Sequence, residues 1–236
     1  MMSRLVLSVV AATALLLSST GFGREPWLDY VWLVKVKPGG KRFIFSHGLA
    51  RPGCTEAEPC PTKAYVVAGN ILIASEFGTL GRGTTKWVEV EYVSPSGKPT
   101  FGWLRDTDLE PLSDPPTTSR SWTGHWVRQD NNIFMKRGRG ANTIAVEGEA
   151  IWGASDPDRV RRGGVHFGEI EGEFRPSRSA GGFTMGETGT LAYDKGGEYD
   201  CRVRFRLMGP YLLAEDNSNC GGVNATFLGA YAREGR

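Results

Sequence analysis

The residues best equipped for chemistry are three histidines, four cysteines and two stretches in which charged side chains alternate along the chain. His125 stands inside Gly124-His125-Trp126, and His166 alternates with Gly168 and Ile170. Neither these nor His47 has a second His, Asp or Glu at a metal-ligand spacing, so ordinary packed or exposed imidazoles are expected. The sequence holds no Gly-x-Ser-x-Gly elbow, no His-Glu-x-x-His and no phosphate loop. Glu169, Glu171 and Glu173 share one face of an expected strand. Cleaving a glycan needs two carboxylates set apart across the sugar, whereas three in a row along a strand mark a solvated face. In Cys201-Arg202-Val203-Arg204-Phe205-Arg206-Leu207 the apolar set points one way and three arginines the other, toward solvent and acidic neighbours. These residues imply no catalytic set, no cofactor and no metal, and the chain reads as a binding protein, not an enzyme.

The densest polar stretch, Glu215-Asp216-Asn217-Ser218-Asn219-Cys220-Gly221-Gly222-Val223-Asn224, has two readings. Asp, Asn and Gly suit tight turns, which makes it a disulfide-stapled hairpin. Alternatively it is a rigid rim that presents Asp216, Asn217 and Asn219 to a ligand. Its positions do not match a calcium loop with Gly at the sixth place.

Met1-Met2-Ser3-Arg4, an apolar run from Leu5 to Leu17 and small residues up to Gly23 are the layout of a secretory signal peptide over residues 1–23. A mature chain from about Arg24 is then periplasmic or secreted. No later segment approaches the roughly 20 apolar residues that would cross a bilayer, so no integral membrane span is expected. Losing Arg4 takes the formal charge from +2 to +1, against the basic excess of nucleic-acid binders. Cys54, Cys60, Cys201 and Cys220 all follow the leader, and an even set in an oxidising compartment reads as disulfides. The spacings suggest Cys54 with Cys60 and Cys201 with Cys220, although sequence alone does not fix connectivity.

These residues must be positioned by strands, because no stretch of the mature chain sustains a helical apolar period. An all-β chain is expected. The Pro- and Ser-rich residues 113–120 divide it into a part over 24–112 and a part over 121–236. In the second part about eight strands are expected, over 122–128, 133–136, 143–152, 165–174, 189–193, 199–207, 211–215 and 223–233.

Residues 64–112, with Trp87-Val88-Glu89-Val90, a Pro-Gly hairpin and Gly102-Trp103-Leu104, resemble a bacterial Src-homology-3-like (SH3-like) domain. That resemblance leaves Leu28 to Lys63 as an added hairpin and loop. It implies an aromatic-lined groove for peptidoglycan or peptide, with Trp87, Tyr92 and Trp103 as its first candidates. Residues 121–236 open with Gly124-His125-Trp126 and close with an arginine on the last strand, Arg233. This resembles the small up-and-down barrels of the lipocalin and avidin superfamily, and implies that Arg233 lies across the Trp126 indole. Partners implied are peptidoglycan or an envelope protein such as a wall hydrolase. A rival reading is an inhibitor or immunity protein of a peptidoglycan hydrolase. Ser96-Gly97 on a hairpin tip resembles the inserting loop of lysozyme inhibitors, but the tyrosine expected shortly after it is absent and Phe101 is the nearest aromatic. A third reading is a small-ligand carrier that uses the second barrel's interior.

Overall fold

Short runs of alternating β-branched and aromatic residues, broken by Gly and Pro, give a chain of strands in the computed structural model, which describes residues 27–46, 54, 60–79 and 84–235. The expected leader and His47 lie outside the described residues. A helical turn, α1 (Trp27–Tyr30), precedes seven strands: β1 (Trp32–Val36), β2 (Arg42–Ser46), β3 (Cys60–Val66), β4 (Ile71–Thr79), β5 (Lys86–Val93), β6 (Pro99–Arg105) and β7 (Leu109–Leu112). They form one antiparallel sheet in the order β3-β2-β6-β5-β4-β1-β7, with a 3-10 turn at Asp106–Asp108 before the last strand. β1 is paired on both sides, Leu33 standing opposite Ile73 of β4 and opposite Leu112 of β7. It is therefore integral to the first sheet, and the core around Val34, Val36, Leu72, Val88 and Leu104 needs it.

The second sheet follows the turn α2 (Ser119–Trp122). Its strands are β8 (Gly124–Arg128), β9 (Asn131–Arg137), β10 (Ile144–Trp152), β11 (His166–Phe174), β12 (Ala180–Gly186), β13 (Gly189–Ala192), β14 (Cys201–Met208), β15 (Tyr211–Asp216) and β16 (Gly229–Arg233); a short helix, α3 (Pro157–Arg161), joins β10 to β11. Nine strands stand in the order β11-β10-β9-β8-β16-β15-β14-β12-β13, where eight were expected. The additional strand is β12, whose Ala180-Gly181-Gly182 start lacks the side chains that signal a strand. The expected strand over 223–233 is shortened to β16, since Asn224 takes a φ of 68° and Asp216 holds the Thr226 hydroxyl and Phe227 N–H instead.

First and last strands pair, placing Arg233 opposite Trp126, so the sheet curls into a nearly closed barrel. The remaining seam, between β11 and the β12–β13 hairpin, has no ladder among the described residues. Side chains fill it: the Phe183 ring occupies the place a Cβ on Gly172 would take, and the Phe174 ring does the same at Gly181. Glu171 N–H donates to Met185 Sδ at 3.5 Å, and higher up Glu169 N–H and the Phe167 carbonyl bond the loop at Cys220 and Gly222. Trp122, Trp126, Phe174, Phe183, Phe205, Phe227 and Tyr231 pack the interior with side chains.

The two sheets share a third core. Leu28, Val31, Leu33, Ile73 and Val93 meet Met208, Tyr211, Leu213, Ala230 and Ala232. Within this contact Glu91 of β5 is 6% exposed and accepts from the Arg128 guanidinium of β8, which also donates to the Ala230 carbonyl at 3.0 Å. Burial pushes the Glu91 carboxyl above its ordinary range, and Arg128 opposes that push. Two arginines of the β14 stripe, expected to face solvent and acidic neighbours, meet such acids and also clamp this joint. Arg206 donates to the Leu28 carbonyl at 2.8 Å and to Asp114 at 2.9 Å, while Arg204 bridges Glu215 at 2.8 Å and Asp29 at 3.2 Å. The acids were visible in the sequence; the α1 turn laid across the stripe was not.

Removing one member of a buried ion pair strands the other. Arg128→Ala should therefore lower unfolding free energy at pH 7 by about 3–5 kcal/mol in chemical denaturation. A carboxyl with a raised folded pKa favours the folded state while protonated and loses that advantage as pH rises through the folded value. The deficit of Arg128→Ala should accordingly shrink toward pH 5, and a pH-independent deficit would contradict this account of Glu91. Trp126, 2% exposed, donates its indole N–H to the Trp122 carbonyl at 3.0 Å. Truncating it to Ala should cost about 3–5 kcal/mol, read by the same melts.

Candidate functional site

Three turns remote in sequence converge where the sheets meet. Gly69-Asn70 ends the connection into β4, Ser94 to Lys98 join β5 to β6, and Gly209-Pro210 join β14 to β15. Between them lies an open cleft of about 230 Å³ lined by Ile71, Tyr92, Val93, Pro95, Pro210 and Tyr211, with Asn70 and Arg233 at its margin. Its walls are set by the interface. Gly209 adopts a φ of +56° and sits against Leu33, where a Cβ would meet the Leu33 side chain at 2.8 Å. Gly97 has a φ of +80° and presses on the Val127 backbone, its carbonyl accepting from Gln129 N–H at 2.8 Å. The Tyr211 hydroxyl donates to the Ile71 carbonyl at 2.6 Å. Burial raises the Tyr211 phenol well above its ordinary range, so it stays a donor across the physiological pH range.

A second, more polar groove of about 540 Å³ runs by the β11–β12 seam, lined by Lys136, Arg137, Arg139, Glu147, Glu171 and Glu173 among others. Glu147 stands directly opposite Glu171, and Glu149 opposite Glu169. Lys136 pairs with Glu147 at 2.5 Å, while Thr143 and Gly140 N–H hold the Glu173 carboxyl below the ordinary range. Glu147 and Glu173 are thus served by local donors.

The residues singled out in the sequence fall in different places. Tyr92 lines the cleft. Trp87 and Trp103 do not reach it: they are 4% and 8% exposed and pack with Phe45, and Trp103 lies over Gly78. Asp216, Asn217 and Asn219 form the internal scaffold of their loop. Asp216 accepts from Ser218 N–H, Thr226 Oγ1 and Phe227 N–H. Asn217 accepts from Arg202 N–H at 3.0 Å and donates to the Asp200 carbonyl at 2.8 Å, and Asn219 donates to the Glu198 carbonyl at 3.0 Å. The Cys201–Cys220 and Cys54–Cys60 disulfides are both formed. Arg233 sits 4.6 Å above the Trp126 ring. His125 is stacked on Phe134 and lies between Glu234 and Asn132, and His166 contacts the Val223 carbonyl at 2.6 Å.

Ile71, Pro95, Pro210 and Tyr211 were not picked out beforehand. Gly209-Pro210 and Ser94-Pro95 are turn signals, yet nothing local in sequence says that these turns meet. No described helix is long and apolar enough to cross a membrane. Neither a family model nor a curated protein nor a solved structure matches this chain. The site is therefore judged on its geometry.

Since Asn217 spends its amide inside the loop, Asn217→Ala should lower stability by about 1 kcal/mol, visible as a reduced thermal midpoint. An unchanged midpoint would return Asn217 to the candidates for ligand contact.

Proposed function

We propose that this chain is a non-catalytic binding protein of the bacterial envelope, periplasmic or secreted, whose cleft at Tyr92, Ile71, Pro95, Pro210 and Tyr211 engages peptidoglycan or a wall-associated protein. The observation that carries this reading is the cleft itself: aromatic, aliphatic and proline side chains line a concavity whose two walls are locked by a buried interface. Pre-formed apolar concavities with few polar groups are the usual form of a recognition site. We read the first sheet as SH3-like, which agrees with β1 pairing on both edges and a 3-10 turn before the last strand. We read the second as a lipocalin- or avidin-like barrel, which agrees with the pairing of its ends and the Trp126–Arg233 contact.

The rival readings draw less support. An inhibitor that inserts Ser96-Gly97 into an enzyme needs a free tip, and Gly97 is buried against β8. A small-ligand carrier needs a hollow barrel, and the interior core is packed with aromatic rings.

The test is a pull-down of protein starting at Arg24 against peptidoglycan sacculi and purified wall hydrolases. Tyr92→Ala and Pro210→Ala should weaken capture at least tenfold, since a few anchor residues carry most binding energy. Capture that is indifferent to both changes would remove the cleft from the reading. Wall-hydrolysing activity in the pure protein, abolished by changing Glu169 or Glu171, would replace it with an enzyme.

A further inference from the structure

The first sheet ends in the hairpin β2–β3, and its outer face carries a patch that no contact among the described residues explains. Phe43 and Tyr65 are cross-strand partners, 46% and 45% exposed, with ring centroids 6.1 Å apart in an edge-to-face arrangement. Val67, just beyond β3, is 42% exposed. Lys41 holds its ammonium 3.9 Å from the Tyr65 ring centroid, and Lys63, two residues before Tyr65 on the same face, is exposed. Arg42, which points elsewhere, is taken up by Asp108 at 2.7 Å. The described residues of the hairpin, 41–46 and 60–67, include no Asp or Glu.

β3 is also the edge of its sheet, and an open edge ordinarily invites a peptide to add a strand. Here that route is blocked. Pro61 has no N–H, and Thr62 Oγ1 accepts from Ala64 N–H at 3.1 Å while lying 3.4 Å from the Ala64 carbonyl. Edge protection accounts for Pro61 and Lys63. It does not account for two half-exposed rings held together with the Lys41 ammonium over one of them.

What the face offers is side chains, not backbone: apolar ring surface with cations at its border. We propose that the outer face of the β2–β3 hairpin docks an anionic polysaccharide, a glycan that bears carboxylate or phosphate on its sugars. The C–H face of a pyranose packs on Phe43 and Tyr65, and the anionic group pairs with Lys41 and Lys63. A basic, aromatic face is also compatible in kind with single-stranded nucleic acid, but the chain's formal charge of +2 is far from the basic excess such binders carry. This surface is separate from the cleft, and the proposal does not depend on what the cleft binds.

The probe is polygalacturonate, with neutral dextran and an oligothymidylate as comparators, measured by calorimetry on protein starting at Arg24. Polygalacturonate should bind and dextran should not. Phe43→Ala or Tyr65→Ala should weaken binding at least fivefold with the thermal midpoint unchanged. Lys41→Gln with Lys63→Gln should weaken it further at low salt and flatten its salt dependence. Tyr92→Ala in the cleft should leave it unchanged. Absence of binding, equal binding of dextran, tighter binding of oligothymidylate, or binding that survives the hairpin changes or is lost with Tyr92→Ala would each overturn the proposal.

Discussion

The architecture depends on the apolar contact between the two sheets, and the Glu91–Arg128 pair lies within it. Both ions are largely withdrawn from solvent, so each is costly without the other in place. That requirement ties β5 to β8 at one point of the joint, a constraint that apolar packing alone would not impose. Other contacts hold the same joint: Gly97 reaches the Val127 backbone, Gly209 reaches Leu33, and Tyr211 finds the Ile71 carbonyl. The cleft is the space left over when these contacts are satisfied.

A covalent linker rich in proline would ordinarily suggest two units free to move. Here the segment between the sheets is held at several points instead. Asp114 receives Arg206, Thr117 donates to the Arg178 carbonyl at 3.0 Å, and Trp122 is buried in the second core. Arg204 and Arg206 of β14 thus act as ties between parts of one body, and their charge is spent internally.

Much of this was legible in the sequence where the signal is local. The alternation of Cys201, Val203, Phe205 and Leu207 marks the buried face of β14, and both short-range cysteine pairs are joined. The signals that left two readings open were those in which the same residue type serves two environments. A Gly-Trp-Leu step looks alike whether its indole is a platform or, as at Trp103, core. Asn and Asp in a polar loop look alike whether they greet a ligand or, as at Asn217, brace a turn. The strand β12 escaped because Gly181 makes room for the Phe174 ring and Gly182 for the backbone of β14, so the packing that requires them also erases the strand pattern. The cleft was illegible because it joins three turns separated by up to 141 positions, from Gly69 to Pro210.

The pairing of β8 with β16 also orders events in time. While the chain is being made, β8 can be satisfied on one edge by β9, but its other partner arrives only after about a hundred further residues. Until then the second sheet is an open ribbon with a bare edge, the form most exposed to mispairing. The first sheet has no such wait beyond β7, and once folded it presents Leu33, Ile73 and Val93 as a finished apolar surface. The late strands β15 and β16 dock on that surface through Tyr211, Leu213, Ala230 and Ala232. The earlier half of the molecule therefore doubles as the template on which the later half closes.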